Sequence, residues 1–165
     1  MPNGFHLILV NRQRTRSVNG RLFRRILTTW LAEELRLPHA QLVLHLVTSR
    51  EIARLNESFL RHAGATDVIT FDCSEPSARR NSAGRAIHGE IFICVDEAVG
   101  QARRFRATWQ SELLRYAIHG VLHLLGYDDV SPPARQRMKR VEDRHLRRLA
   151  RRFSLTKLAR RRVLR

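Results

Sequence analysis

The stretch His119-Gly-Val-Leu-His-Leu-Leu-Gly-Tyr-Asp-Asp129 constrains this chain more than any other. Two histidines four residues apart lie one turn above each other on one helical face. Gly126 follows three residues after His123, and glycine most easily takes the left-handed conformation that ends a helix. The chain can then turn back and bring Asp129 beneath the two imidazoles. Two neutral nitrogens and a carboxylate oxygen make a three-ligand site with an open position, which is what a catalytic zinc requires. Asp128 is the rival third ligand, and the register favours Asp129.

This spacing, with its helix-ending glycine, is that of the metzincin signature H-E-x-x-H-x-x-G-x-x-H, with Asp in the third place. In zinc peptidases the residue after the first histidine is Glu, the general base that takes a proton from water. Here it is Gly120, which has no proton chemistry, so peptide hydrolysis becomes a minor alternative.

Charge narrows the partner. The net charge is +16, and residues 134–165 hold 14 Lys and Arg against 2 Asp and Glu, a surplus of 12. A basic segment of this density points to a polyanion, nucleic acid first and anionic membrane second. No apolar run is long enough for a transmembrane helix. Phe5 to Val10 is too short for a signal-peptide core, and its basic residues follow it. With no export signal, Cys73 and Cys94 imply a reducing cytoplasm and read as small buried hydrophobes in strands.

At 165 residues, 43% of them apolar, one domain with a core is expected. It should span 1–155, with a basic C-terminal helix from about 132 and a basic, frayed tail over 156–165. Residues 5–10 read as a buried strand. Phe23, Ile26, Leu27, Trp30, Leu31 and Leu35 have helical period, with Pro38 beyond their end. Residues 41–47 form a second strand in which His45 is packed. Ser49 can cap a helix to about Phe59, with Ile52, Leu55 and Phe59 inward. Residues 67–73 and 87–95 form an antiparallel hairpin across a polar, mobile insertion at 74–86. Asp96 caps the next helix, and the motif helix begins after Thr108, apolar around much of its circumference and so placed in the core. Ser131-Pro132-Pro133 starts the last helix, whose spine is Met138, Val141, Leu146, Leu149 and Phe153. His145 reads as a surface histidine and His62 as a loop residue.

Together these stretches resemble the YbeY family of rRNA maturation factors, regarded as single-strand-specific metallo-endoribonucleases. That family carries H-G-x-L-H-L-x-G-Y-D-H, against H-G-V-L-H-L-L-G-Y-D-D at 119–129 here. Leu55-Asn56, Thr66-Asp-Val-Ile-Thr-Phe-Asp72 and Gly89-Glu-Ile-Phe-Ile93 are similar too, so the likeness covers roughly residues 40–150. It implies an α+β fold: a small four-stranded mixed sheet with helices packed on it, and the metal site at the C-terminal end of a central helix. It implies one Zn2+ per chain held by His119, His123 and Asp129, with Asp129 standing where the family has a third histidine. A carboxylate there makes bound water less acidic and brings manganese or iron into consideration. Where the family often has an aromatic followed by an RNA-contacting Arg, this chain has Phe59-Leu60 and then Arg61; no catalytic side chain is assigned, and Arg61, or less readily His62, could stabilise developing charge. Gly89-Glu90 replaces the more usual Gly-Asp, and Cys94 a common Ser. The implied function is cleavage of single-stranded RNA in rRNA maturation and ribosome quality control, in the cytoplasm, with rRNA or the small ribosomal subunit as partner. The alternatives are a ribosome-assembly or RNA-binding factor with a mainly structural metal, and a hydrolase of another substrate.

Overall fold

The computed structural model describes residues 4–76 and 86–160. Its sheet comprises β1 (Phe5–Asn11), β2 (Ala40–Val47), β3 (Val68–Asp72) and β4 (Ile87–Cys94), in the order β1-β2-β4-β3. β1 and β2 are parallel, as are β2 and β4, while β3 runs antiparallel to β4 along the edge. The sheet is therefore mixed and the hairpin is present. The helices are α1 (Gly20–Thr29), α2 (Ser49–Leu55), α3 (Val95–Arg104), α4 (Trp109–Leu124) and α5 (Pro132–Arg152).

Alternation along the strands separates two apolar layers. Leu42, Leu44, Leu46, Ile91 and Ile93 join α1 and α4 in the main core, where Phe23, Ile26, Leu27, Trp30 and Leu31 are fully buried. On the opposite face Val47, Ile69, Phe92 and Cys94 pack under Ile52 of α2. His45 stacks on Phe92 at 4.2 Å and bonds Glu90 at 2.8 Å, the packed strand histidine expected.

Several expectations are corrected. β1 is an edge strand and only half covered: Phe5 and Leu7 are buried, but Ile8 is 56% exposed. α1 gives way to a π turn over Trp30–Glu34 before Pro38. The cap of α2 is Thr48, which accepts from the Glu51 amide; Ser49 instead donates from its amide and hydroxyl to Asp96. A π turn over Asn56–Leu60 follows α2 and swings Phe59 outward to 64% exposure, resting edge-on against Phe71. Asp96 lies inside the first turn of α3 rather than capping it, because it also accepts from Thr15 and so ties the loop after β1 to the start of α2. Cys73 falls just beyond β3 and is exposed, whereas Cys94 is buried, and burial pushes its thiol up.

The tail is not frayed over residues 156–160. Leu155–Leu158 forms a 3-10 turn with Leu158 fully buried, and Ala159 bridges to Val18. Leu158 is one apolar side chain in a basic run, and the pocket it fills is supplied by α1 and α4. Residues 161–165, and residues 77–85 of the expected mobile insertion, lie outside the described residues.

Candidate metal centre

α4 is positioned by both its ends and its buried face. Thr108 caps it by accepting from the Ser111 amide, and Leu113, Leu114, Ala117, Ile118, Val121 and Leu122 bury one broad side. At the other end Gly126 takes φ +95°, its amide donating to the His123 carbonyl and that of Tyr127 to the Leu122 carbonyl. This pair of bonds is the Schellman ending, and it satisfies carbonyls that would otherwise be orphaned. The chain then folds back as the glycine predicted.

The return brings three side chains together. Asp129 Oδ2 lies 3.7 Å from His119 Nε2 and 3.8 Å from His123 Nε2, and the two nitrogens are 3.0 Å apart. With zinc–ligand bonds of about 2.0–2.1 Å, tetrahedral ligands sit about 3.3–3.4 Å from one another. The observed edges bracket that value, so the donor set fits a divalent cation in both size and chemistry. Asp128 accepts from the Val130 amide and is exposed, outside this group.

The tautomers strengthen the fit. His123 Nδ1 faces the Tyr127 carbonyl at 3.1 Å, which can only accept, so that nitrogen carries the hydrogen. His119 Nδ1 faces the Glu142 carboxylate at 2.5 Å and carries one as well. Both Nε2 lone pairs then point at each other, an arrangement that repels unless a cation stands between them. Burial opposes the His119 cation, yet the Glu142 hydrogen bond and charge, with Asp67 and Asp129, outweigh it and raise the pKa. His123 is lowered, by burial first and then by the charge on His119.

Glu142 is a further residue of the candidate site, one that the motif spacing leaves out. It is 7% exposed on α5 and orients His119; Arg115 of α4 approaches it at 3.7 Å while pairing Asp143 at 2.5 Å. Its signal was available, because it lies in phase with Met138, Val141 and Leu149, and a carboxylate on an apolar spine requires a partner. Carboxylates that hold a ligating histidine's second nitrogen fix its ring and raise its basicity. Glu142→Gln should therefore weaken zinc affinity roughly 10–100-fold, read by competition against a chromogenic chelator. An unchanged affinity would mean that packing alone orients His119.

The other predicted residues stand apart. Arg61 closes the second π turn in a left-handed conformation (φ 54°), is exposed, and makes no hydrogen bond or ion pair with the three. His62 is an exposed loop residue as read, but His145 is buried: it meets Glu34 at 3.3 Å and Trp30 edge-on, pinning α5 to the first π turn.

Gly120 is more than a missing base. A Cβ there would meet Ile91 Cγ2 at 2.7 Å and Thr70 Oγ1 at 3.0 Å. Gly89 makes the matching approach, its Cβ position lying 2.7 Å from the Phe71 carbonyl oxygen and 2.8 Å from Leu124. These two glycines let α4 lie down on β3 and β4 beside the metal group.

A family model described as Endoribonuclease YbeY matches residues 9–150. A protein named Endoribonuclease YbeY from Chlorobium phaeovibrioides is 46% identical over 98 residues, covering 59% of this chain and 61% of that protein. One of the same name from Salinibacter ruber is 37% identical over 116 residues, covering 70% and 73%. Another from Myxococcus xanthus is 38% identical over 130 residues, covering 77% and 44%. Thus the chain spans less than two thirds of the Chlorobium and Myxococcus relatives. The solution structure of TM1509 from Thermotoga maritima matches at a TM-score of 0.60 with 25% identity, over 87% of this chain and 88% of that one.

Proposed function

The chain belongs to the YbeY family, and from that premise we propose that it is a zinc-dependent endoribonuclease hydrolysing single-stranded RNA in rRNA maturation. The observation that carries the proposal is the grouping of His119, His123 and Asp129, with both imidazoles held through Nδ1 so that Nε2 is free to ligate. A divalent cation bound there supplies the positive charge that polarises a phosphoryl oxygen and makes water a stronger acid.

The chain's own residues do the rest. Glu142 and the Tyr127 carbonyl fix the rings, and Asp129 is delivered by a helix ending rather than a mobile loop. The nearly half-exposed Asp129 side chain leaves the group open to a polymer strand. Peptide hydrolysis has no support at position 120, where a Glu side chain has no room. The cytoplasm is the proposed location: Cys73 and Cys94 are both free, and no helix among the described residues is long and apolar enough to cross a membrane.

The test is metal removal paired with Asp129→Ala. Chelation should abolish cleavage of a labelled single-stranded RNA, and zinc should restore it. Asp129→Ala should lose more than the roughly 10–100-fold in metal affinity that an outer partner contributes, and cleavage with it. RNA cleavage that persists in fully metal-free protein rules the proposal out.

A further inference from the structure

α5 carries its arginines in a pattern that a count does not reveal. At 3.6 residues per turn, Arg137, Arg140, Arg144, Arg147, Arg148 and Arg151 fall within an arc of about 100°. All six are exposed. Of the helix's two carboxylates, Glu142 lies on the opposite face against His119, and Asp143, about 40° outside the arc, is taken up by Arg115. Arg152, beside the arc, is taken up by Glu33 at 2.6 Å. Among the described residues none of the six arginines meets a carboxylate. Arg140, Arg144 and Arg148 succeed one another at the four-residue spacing where like charges repel, as do Arg147 and Arg151. No carboxylate among the described residues offsets this repulsion, so the stripe stands free to meet an anionic ligand.

The stripe also begins in a telling place. A groove between the Gly126–Asp128 turn and the first turns of α5 is lined by Tyr127, Asp128, Ser131, Pro133 and, at its far side, Arg137. Asp129, the next residue along that turn, belongs to the metal group. From Arg137 to Arg151 the cations extend about 21 Å along a rigid helix.

We propose that the outer face of α5 is a track for the RNA backbone: a strand engaged at the metal group passes through the Tyr127–Arg137 groove and lies along the arginine stripe. This rests on the single-stranded RNA reading above and adds where the rest of the strand is held. The contacts are to phosphates, so the track is indifferent to sequence and sensitive to salt.

The test compares two triple variants of the full chain, matched in the charge they remove. One is Arg144→Gln, Arg148→Gln, Arg151→Gln; the other is Arg103→Gln, Arg104→Gln, Arg106→Gln, at and just beyond the C-terminal end of α3. Binding of a phosphorothioate-linked oligouridine of about twenty nucleotides is followed by anisotropy against KCl concentration. Each phosphate contact to a single strand contributes about 0.7 to the slope of log affinity on log salt. The stripe variant should flatten the slope by about 2, a loss the α3 variant does not share. Equal flattening in both, or none in the stripe variant, overturns the track, as does binding to phosphatidylserine vesicles without binding to RNA. If zinc-loaded wild type fails to cleave while the stripe variant still loses its slope, the nuclease reading falls and the track stands.

Discussion

If the proposed function holds, His119→Ala should abolish zinc binding and RNA cleavage together. The substitution removes one of the three groups proposed to ligate and leaves only His123 and Asp129, 3.8 Å apart. Charge stabilisation by a bound metal contributes several kcal/mol to a transition state, so cleavage should fall roughly 10³-fold or more at 1.36 kcal/mol per decade. A second consequence separates this variant from a simple loss of activity. Glu142, 7% exposed, loses its imidazole partner and keeps, among the described residues, only Arg115 at 3.7 Å. A buried acceptor left unmatched costs about 1–3 kcal/mol, equivalent to a melting temperature lower by roughly 2–10 °C. Metal content by elemental analysis, cleavage of labelled RNA and a thermal melt check all three parts. Cleavage equal to wild type at matched concentration would place the nuclease elsewhere on the chain or in a contaminant.

Gly120→Glu should destabilise the fold severely rather than create a peptidase. Position 120 lies on the side of α4 pressed against β3 and β4, where even a methyl group would sit 2.7 Å from Ile91 Cγ2. Alanine there would gain about 1 kcal/mol of helix propensity and lose about 1–3 kcal/mol to overpacking. Glutamate adds a carboxylate facing Ile91 and the Thr70 hydroxyl, which already lacks a partner. A buried, unpaired charge costs several kcal/mol beyond the steric term. The sum exceeds about 4 kcal/mol, a large share of a typical domain's 5–15 kcal/mol. The expected result is a melting temperature lower by about 10 °C or more, or insoluble protein. A soluble variant melting like wild type would show that the side chain escapes the sheet, and the packing account of Gly120 would fail.

The two glycines of the motif illustrate what could be read in advance. Gly126 announces its role locally: it ends a helical pattern and takes φ +95°, so the reversal that delivers Asp129 was legible from spacing alone. Gly120 announces only an absence. The same missing side chain reads as a lost base in the sequence and proves to be a contact surface in the fold. Phe59 shows the opposite failure, because helical period placed it inward while the π turn over Asn56–Leu60 adds a residue and rotates it outward. Ser49 and Asp96 each suit a helix cap on local grounds, and the two bond each other instead.

By itself the sequence determined whatever is governed by neighbours along the chain: the alternation that makes the sheet, the four-residue step of His119 and His123, the glycine that ends α4, and the serine and prolines that start α5. The tertiary structure decided what depends on residues distant in sequence. It turned Glu142 inward to hold His119 across 23 positions, buried His145 against Trp30, and seated Leu158 beneath the expected tail. Local chemistry fixes backbone conformation through short-range sterics and capping bonds. Which polar group finds which partner is settled only when helices pack, since burial is what makes an unpaired carboxylate or imidazole costly.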